Sequence, residues 1–255
     1  MKEVLLFHVF PINNWKSVSQ NLLSNVPHDD VYIHVSFHQH LTVTASEINS
    51  FFYSIKKVKH IYYSQNSNHP EVDAFNTFKS NIDLTQYSLL TYMHAKGVTK
   101  PESQNIADWT ELMRYFIMDR MSNCRKAFAN GYLLYGVNKT REPKNKEGYF
   151  KEVDYFYAGN FVSVKLTPDV TMNIKSLPII MNYYGLEGFW GKLSPGKLAF
   201  NAFHSRINHY TSPFPASFYK TKSARLKYSI TAVLYEKYFS VLHQIKDLMK
   251  NRSTL

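Results

Sequence analysis

The stretch Tyr87-Ser88-Leu89-Leu90-Thr91-Tyr92-Met93-His94-Ala95-Lys96-Gly97 decides how this chain is read. From Tyr87 to Met93 it is apolar enough to be a strand covered on both faces, as strands of parallel sheets are. A histidine, a lysine and a glycine follow where such a strand releases its chain. Ligands of open α/β sheets collect outside the carboxyl ends of the strands. His94 and Lys96 delivered there predict an anion site, of the kind a phosphate-bearing substrate requires.

Working outward, strand and helix signals alternate. Val4 to Phe10 predicts a strand, Asn14 to Asn25 a helix, and Asp30 to Val35 a second strand. Glu47 to Ile55 predicts a helix, Lys59 to Ser64 a short strand, and Pro70 to Asn81 a helix started by proline. Four parallel strands are therefore expected by residue 95. Beyond the Lys100-Pro101-Glu102-Ser103 loop, Ile106, Trp109, Met113, Phe116, Ile117, Arg120 and Met121 recur at helical spacing, which predicts one long central helix. Tyr132 to Val137 reads as a strand and Lys139 to Lys151 as a long basic loop that could act as a lid. Phe156 to Leu166 reads as a strand interrupted by Gly159-Asn160, and Pro178 to Trp190 as a helix entry.

The 255 residues suit one large α/β domain, and 44 % hydrophobic with 16 % aromatic residues supply a packed core. No run approaches the roughly 20 apolar residues of a membrane span. The start Met1-Lys2-Glu3-Val4 reads as a first strand rather than a signal peptide, so a cytoplasmic protein is expected. The lone Cys124 excludes an internal disulfide and a cysteine-rich zinc site, and reads as a packing residue. The net charge of +11 is concentrated toward the end of the chain, where residues 212–255 carry eight basic side chains against Glu236 and Asp247.

Four short elements in order, His94-Ala95-Lys96-Gly97, Trp109 within a helix, Ala158-Gly159-Asn160-Phe161-Val162, and Tyr184-Gly185-Leu186-Glu187-Gly188-Phe189-Trp190, resemble a family of bacterial and viral glycosyltransferases of the rhamnan-synthesis kind. That family shows a His-x-Lys-Gly turn, a Ser-Gly-Asn-Phe-Trp-Trp strand and a small-Glu-x-Trp element. The resemblance covers about residues 4–210. Here Ala158 stands where serine is usual, and Val162 and Ser163 replace the two tryptophans. It implies a GT-A type nucleotide-sugar-binding fold over residues 1–211, a helical extension over 212–255, and Gly97 and Asn160 among the donor contacts. The implied activity is sugar transfer in polysaccharide biosynthesis, from a nucleotide-diphosphate sugar to a glycan or lipid-linked acceptor.

GT-A enzymes commonly place an Asp-x-Asp at the end of this strand to hold a divalent ion against the leaving diphosphate. His94 and Lys96 stand in that place. A lysine ammonium stabilises phosphate charge directly, so no divalent metal is expected. Glu187 is the expected base. An inverting transfer needs a carboxylate to take the acceptor's hydroxyl proton, with Gly185 and Gly188 leaving room and Phe189 and Trp190 forming an apolar or sugar-stacking wall.

Further binding residues are expected at Val9, Phe10 and Pro11 after the first strand, His34 or Ser36 after the second, and Asp73 and Asn76 on the helix from Pro70. His204, Arg206 and His209 could close over the diphosphate as a cationic clamp. Asp29-Asp30 lies at the amino end of its strand, on the wrong side for a metal site. In the basic tail, Tyr228, Ile230, Val233, Leu234, Tyr238, Val241 and Leu242 recur at helical spacing. They suit either packing on the domain or peripheral contact with an anionic membrane. A catalytically inactive nucleotide-sugar-binding protein remains an alternative. A nucleic-acid binder is a lesser one, since no RNA- or DNA-binding module is present.

Overall fold

The computed structural model describes residues 1–37, 42–140 and 153–231. The expected lid loop lies outside them beyond Lys139 and Thr140, which form a short strand, and so does most of the amphipathic tail.

Strands β1 (Lys2–Val9), β2 (Asp30–Phe37) and β4 (Tyr87–His94) are buried almost throughout, while β3 (Val58–Gln65), at the sheet edge, alternates between exposed and covered residues. Helices α1 (Trp15–Leu22), α2 (Ala45–Tyr53) and α3 (Pro70–Asn81) connect them. Their starts are written locally. Thr44 accepts a hydrogen bond from the Glu47 backbone N–H at the head of α2, and Pro70 opens α3 with Glu71 and Asp73 in its first turn. The four parallel strands expected by residue 95 are present, in the order β3-β2-β1-β4.

The second half extends the sheet. Helix α4 (Gln104–Arg114) leads through one wide π-turn (Tyr115–Asp119) into α5 (Met121–Ala129). Strands β5 (Leu134–Gly136), β6 (Lys139–Thr140), β7 (Phe156–Tyr157) and β8 (Val162–Lys165) follow. Helices α6 (Pro168–Ser176) and α7 (Gly185–Leu193) and strand β9 (Ala199–Asn201) complete the order. The seven-stranded sheet runs β3-β2-β1-β4-β8-β5-β9, with β8 alone reversed, and β6 pairs with β7 in a separate ribbon. It is a mixed α/β fold with a mostly parallel central sheet flanked by helices.

Several expectations are corrected. The single long helix is broken at the π-turn, where Tyr115, Phe116, Ile117 and Met118 are all buried. Four consecutive buried residues cannot share one face of an α-helix, and the wide turn spreads them between sheet and C-terminal segment. The strand expected over 156–166 is two strands in different sheets, because Gly159 at φ +90° and Asn160 at φ +59° turn the chain between them. The helix expected from Pro178 starts only at Gly185. Helix α6 was not anticipated, although Thr167 caps it and Pro168 opens it.

Two apolar cores lie on opposite faces of the sheet. Phe214 and Tyr219 are buried in the first, against Phe203, Tyr115 and Phe116. The start of the segment from residue 212 therefore packs as part of the main body, and residues 222–231 are helical. Cys124 is fully buried, and burial pushes its thiol well above the ordinary range, as expected of a packing residue.

Candidate active site

At the carboxyl ends of β1 and β4 a cleft of about 370 Å³ opens between the first turns of α3 and α7. His94 ends β4. Its neighbour across the sheet is His8, whose carbonyl accepts the Ala95 N–H at 2.8 Å, and this bond swings Lys96 out over the cleft. Gly97 follows at φ +96°, a left-handed conformation that glycine adopts without strain.

Lys96 Nζ sits 4.0 Å above the ring of Trp109, which α4 presents from the far wall. Burial lowers the Lys96 pKa, and the carboxylates of Glu71 and Glu187 oppose that by favouring the ammonium. Glu187 stands in the first turn of α7 and accepts a hydrogen bond from the Gly159 backbone N–H at 3.3 Å. Its pKa is raised to about 7, first by burial and then by the charge of Glu71, against the pull of Lys96 and the Gly159 N–H. A carboxyl group poised near neutrality, beside an ammonium and open to a cleft, suits proton transfer.

Glu71 is the residue the sequence reading missed. It takes the second position of α3, where Asp73 and Asn76 were expected to matter; neither of those lines the cleft. Glu71 accepts a hydrogen bond from the Asn160 side-chain N–H, and its Oε2 lies 3.5 Å from His94 Nδ1. Burial raises its pKa, with the Asn160 bond and Lys96 pulling down. Burial first, then Lys96, holds His94 well below the usual histidine range. His94 is therefore a neutral ring at physiological pH and supplies polarity rather than charge. The one signal for Glu71, an acidic residue in the first turn of a proline-started helix, is shared by Asp73 and does not tell the two apart.

Asn160 joins these groups to the core. Its Oδ1 accepts the Trp190 indole N–H at 2.6 Å while its Nδ2 serves Glu71. Phe189 and Trp190, expected as a wall of the site, are 1 % and 0 % exposed and pack with Phe75 beneath it. Gly185 does not make room beside Glu187. A Cβ there would collide with the Ile180 carbonyl, so its small size serves a close chain crossing.

The remaining expected residues divide. Phe10 lines the cleft, while Pro11 is buried and does not. His34 is wholly buried beside His8 and Phe78, with both ring nitrogens lacking a hydrogen-bond partner and a pKa pushed down to about 4 by burial. It lies too deep to touch a nucleotide in the cleft. The expected clamp does not form as one unit. His204 and Arg206 are exposed, whereas His209 is buried, stacks on Trp109 at 5.1 Å and bonds Ser205 Oγ at 2.6 Å. Burial, then Lys96, lowers the His209 pKa to about 4, so it supports Trp109 as a neutral ring. Val162 and Ser163 are buried in β8 and do not reach the cleft.

Among the described residues no group of three or more His, Cys, Asp or Glu side chains is arranged to hold a metal ion. No helix among them is long and apolar enough to cross a membrane.

No protein-family model matches the chain, and no curated protein matches it in sequence. Among solved structures it is similar to a 4-diphosphocytidyl-2C-methyl-D-erythritol synthase from Anaerococcus prevotii, at 7 % identity and a TM-score of 0.38, over 80 % of this chain and 86 % of that one.

Proposed function

We propose that this chain is an inverting, metal-independent glycosyltransferase of GT-A type, which moves a sugar from a nucleotide-diphosphate donor to a glycan or lipid-linked acceptor. The observation that carries the reading is the meeting of Lys96 and Glu187 across one cleft at the carboxyl ends of the parallel strands. The sheet order 3-2-1-4 followed by a reversed strand supports the fold assignment.

In this reading the donor diphosphate lies against Lys96 and the Gly97 turn, with Phe10 beside it. The acceptor oxygen attacks the anomeric carbon as its proton passes to the Glu187 carboxylate. The bond from that carbon to the diphosphate oxygen breaks, and its electron pair leaves on the phosphate. The Lys96 ammonium stabilises the charge that develops there, the task a divalent ion performs in many transferases. Glu71, fixed by Asn160, keeps Lys96 charged and raises the basicity of Glu187. Trp109, stacked on His209, backs the ammonium.

The test is thermal stabilisation by UDP, GDP, CMP, dTDP and their sugar conjugates, with EDTA or with added Mn²⁺. A ligand at about 100 times its Kd adds roughly 2.7 kcal/mol. A shift with one nucleotide that survives EDTA, followed by turnover of its sugar conjugate, is the expected result. A strictly metal-dependent shift would overturn the role given to Lys96. A sugar nucleotide that binds and never turns over would reduce the protein to a binding module.

A further inference from the structure

Three tyrosines stand around the mouth of the cleft, and no step of the proposed reaction uses them. Tyr183 and Tyr184 come from the loop that precedes α7, and Tyr210 from the segment that follows β9; all three line the cleft together with Glu187. They are 72 %, 39 % and 56 % exposed, a high degree for large aromatic side chains gathered in one place. The backbone of two of them is held. The Tyr184 N–H donates to Asn182 Oδ1 at 2.9 Å and the Tyr210 N–H to Asn208 Oδ1 at 2.9 Å. Tyr183 and Tyr184 meet edge to face at 5.0 Å, and Tyr210 meets Trp109 in the same manner at 5.3 Å.

The chemistry of this rim selects its occupant. Each ring offers a flat apolar face and a hydroxyl, and the carboxylates of Glu71 and Glu187 act electrostatically on the hydroxyls of Tyr183 and Tyr210. A pyranose matches that combination, with axial C–H bonds for the rings and hydroxyls for the polar groups. The charge at the rim is mixed, since Lys100 lines the same cleft with its Nζ 5.4 Å over the Tyr210 ring, so it is the gathered ring faces and hydroxyls rather than net charge that favour a sugar. A lipid chain would want aliphatic lining, but the exposed aliphatic residues of the same loop, Ile180 and Met181, do not line the cleft.

We infer that Tyr183, Tyr184 and Tyr210 form the acceptor subsite, and that the acceptor is a carbohydrate whose ring stacks on them and directs one hydroxyl to Glu187. The role as acceptor rests on the transferase reading; the binding of a sugar ring at this rim does not.

The experiment is saturation-transfer NMR of the full chain with the methyl glycosides of glucose, galactose, mannose, rhamnose and N-acetylglucosamine. The expected result is transfer from tyrosine ring protons to the C–H face of at least one glycoside. Tyr183→Ala and Tyr210→Ala should each weaken binding about tenfold, with Tyr183→Phe close to wild type. Nucleotide-induced thermal shift, measured on Tyr183→Ala, which has no contact with Trp109, should stay at the wild-type value and reports the donor side and the fold. Absence of a signal from every glycoside, or a signal unchanged in the alanine variants, would overturn the subsite. So would co-sedimentation with mixed phosphatidylcholine and phosphatidylglycerol vesicles that is lost in Tyr183→Ala in place of a glycoside signal, which would make the rim a membrane contact. Glycoside binding with no response to any nucleotide would instead leave the sugar site standing and remove the transferase.

Discussion

Asn160 accepts the Trp190 indole N–H at 2.6 Å and, through the other end of the same amide, donates to Glu71. One side chain thus ties the floor of the cleft to a carboxylate at its mouth. Because both amide ends are used, the amide orientation is fixed, and with it the place of Glu71 relative to Lys96 and Glu187. Asn160 adopts φ +59°, a conformation asparagine tolerates better than most residues.

Asn160→Ala should destabilise the fold by about 1–3 kcal/mol, since it leaves a buried indole N–H unpaired and puts a less tolerant residue at positive φ. Asn160→Asp keeps the acceptor for Trp190 but sets a carboxylate against Glu71, so it should fold better than the alanine variant and lose activity. Urea unfolding and turnover of the same two proteins separate the effects.

Glu187→Gln should lower transfer by about 10²-fold or more while nucleotide binding persists, as loss of a general base does. If Glu187 is the base of the proposed transfer, its pKa near 7 in the free protein places the acid limb of kcat/KM at about that pH, with activity rising as the group deprotonates. A rate that does not vary between pH 6 and 8 would remove Glu187 from proton transfer.

Lys96→Ala should cut turnover by about 10²-fold or more. It carries a second consequence. Lys96 pulls the Glu187 pKa down, so in Lys96→Ala the residual activity should show its acid limb at higher pH than wild type. A pH profile unmoved by the substitution would mean that the two groups do not share one cleft.

Gly159→Ala places a methyl group 2.5 Å from Met113 Sδ at φ +90°, and should cost roughly 1–3 kcal/mol in thermal unfolding. The Gly159 N–H is the backbone donor to Glu187. If the turn shifts to relieve the collision, the Glu187 pKa should rise and the activity profile should follow it.

The buried histidines set the acid stability. His8, His28 and His34 are 5 %, 0 % and 0 % exposed, and burial depresses the pKa of all three, His28 to about 3 and His34 to about 4. Below about pH 6.5 the unfolded chain takes up protons that the native state refuses, so stability falls as pH drops from about 6.5 toward 4, by up to about 1.4 kcal/mol per pH unit for each ring. Glu71 and Glu187, whose pKa values burial raises, act the opposite way, Glu187 between about 4.5 and 7, but with His94 and His209 also depressed the histidines outnumber them. Urea midpoints at pH 7 and pH 5 check the sign, and His34→Phe should flatten the slope.

Read without a structure, the chain yields its first half almost element by element. Strands β1, β2 and β4, buried on both faces, must be near-continuous apolar runs, and threonine and proline at the heads of α2 and α3 are local signals, so much of the first half is legible in the order of residues. The end of β4 was legible for the same reason, which brought His94, Lys96 and Gly97 into view. What lies across the cleft was not. Nothing in spacing says that Glu71 rather than Asp73 or Asn76 faces Lys96, because the choice depends on how α3 is rotated on the sheet. That rotation is set by Val72, Ala74, Phe75 and Phe78 packing below it. The π-turn after Arg114, the division of residues 156–166 between two sheets and the burial of Trp190 beneath the site likewise depend on contacts between distant segments. Composition and periodicity determined the fold class and the strand that carries the cleft. Only the tertiary structure, through packing of side chains far apart in the chain, decided which carboxylates surround Lys96 and which aromatic rings remain at the rim.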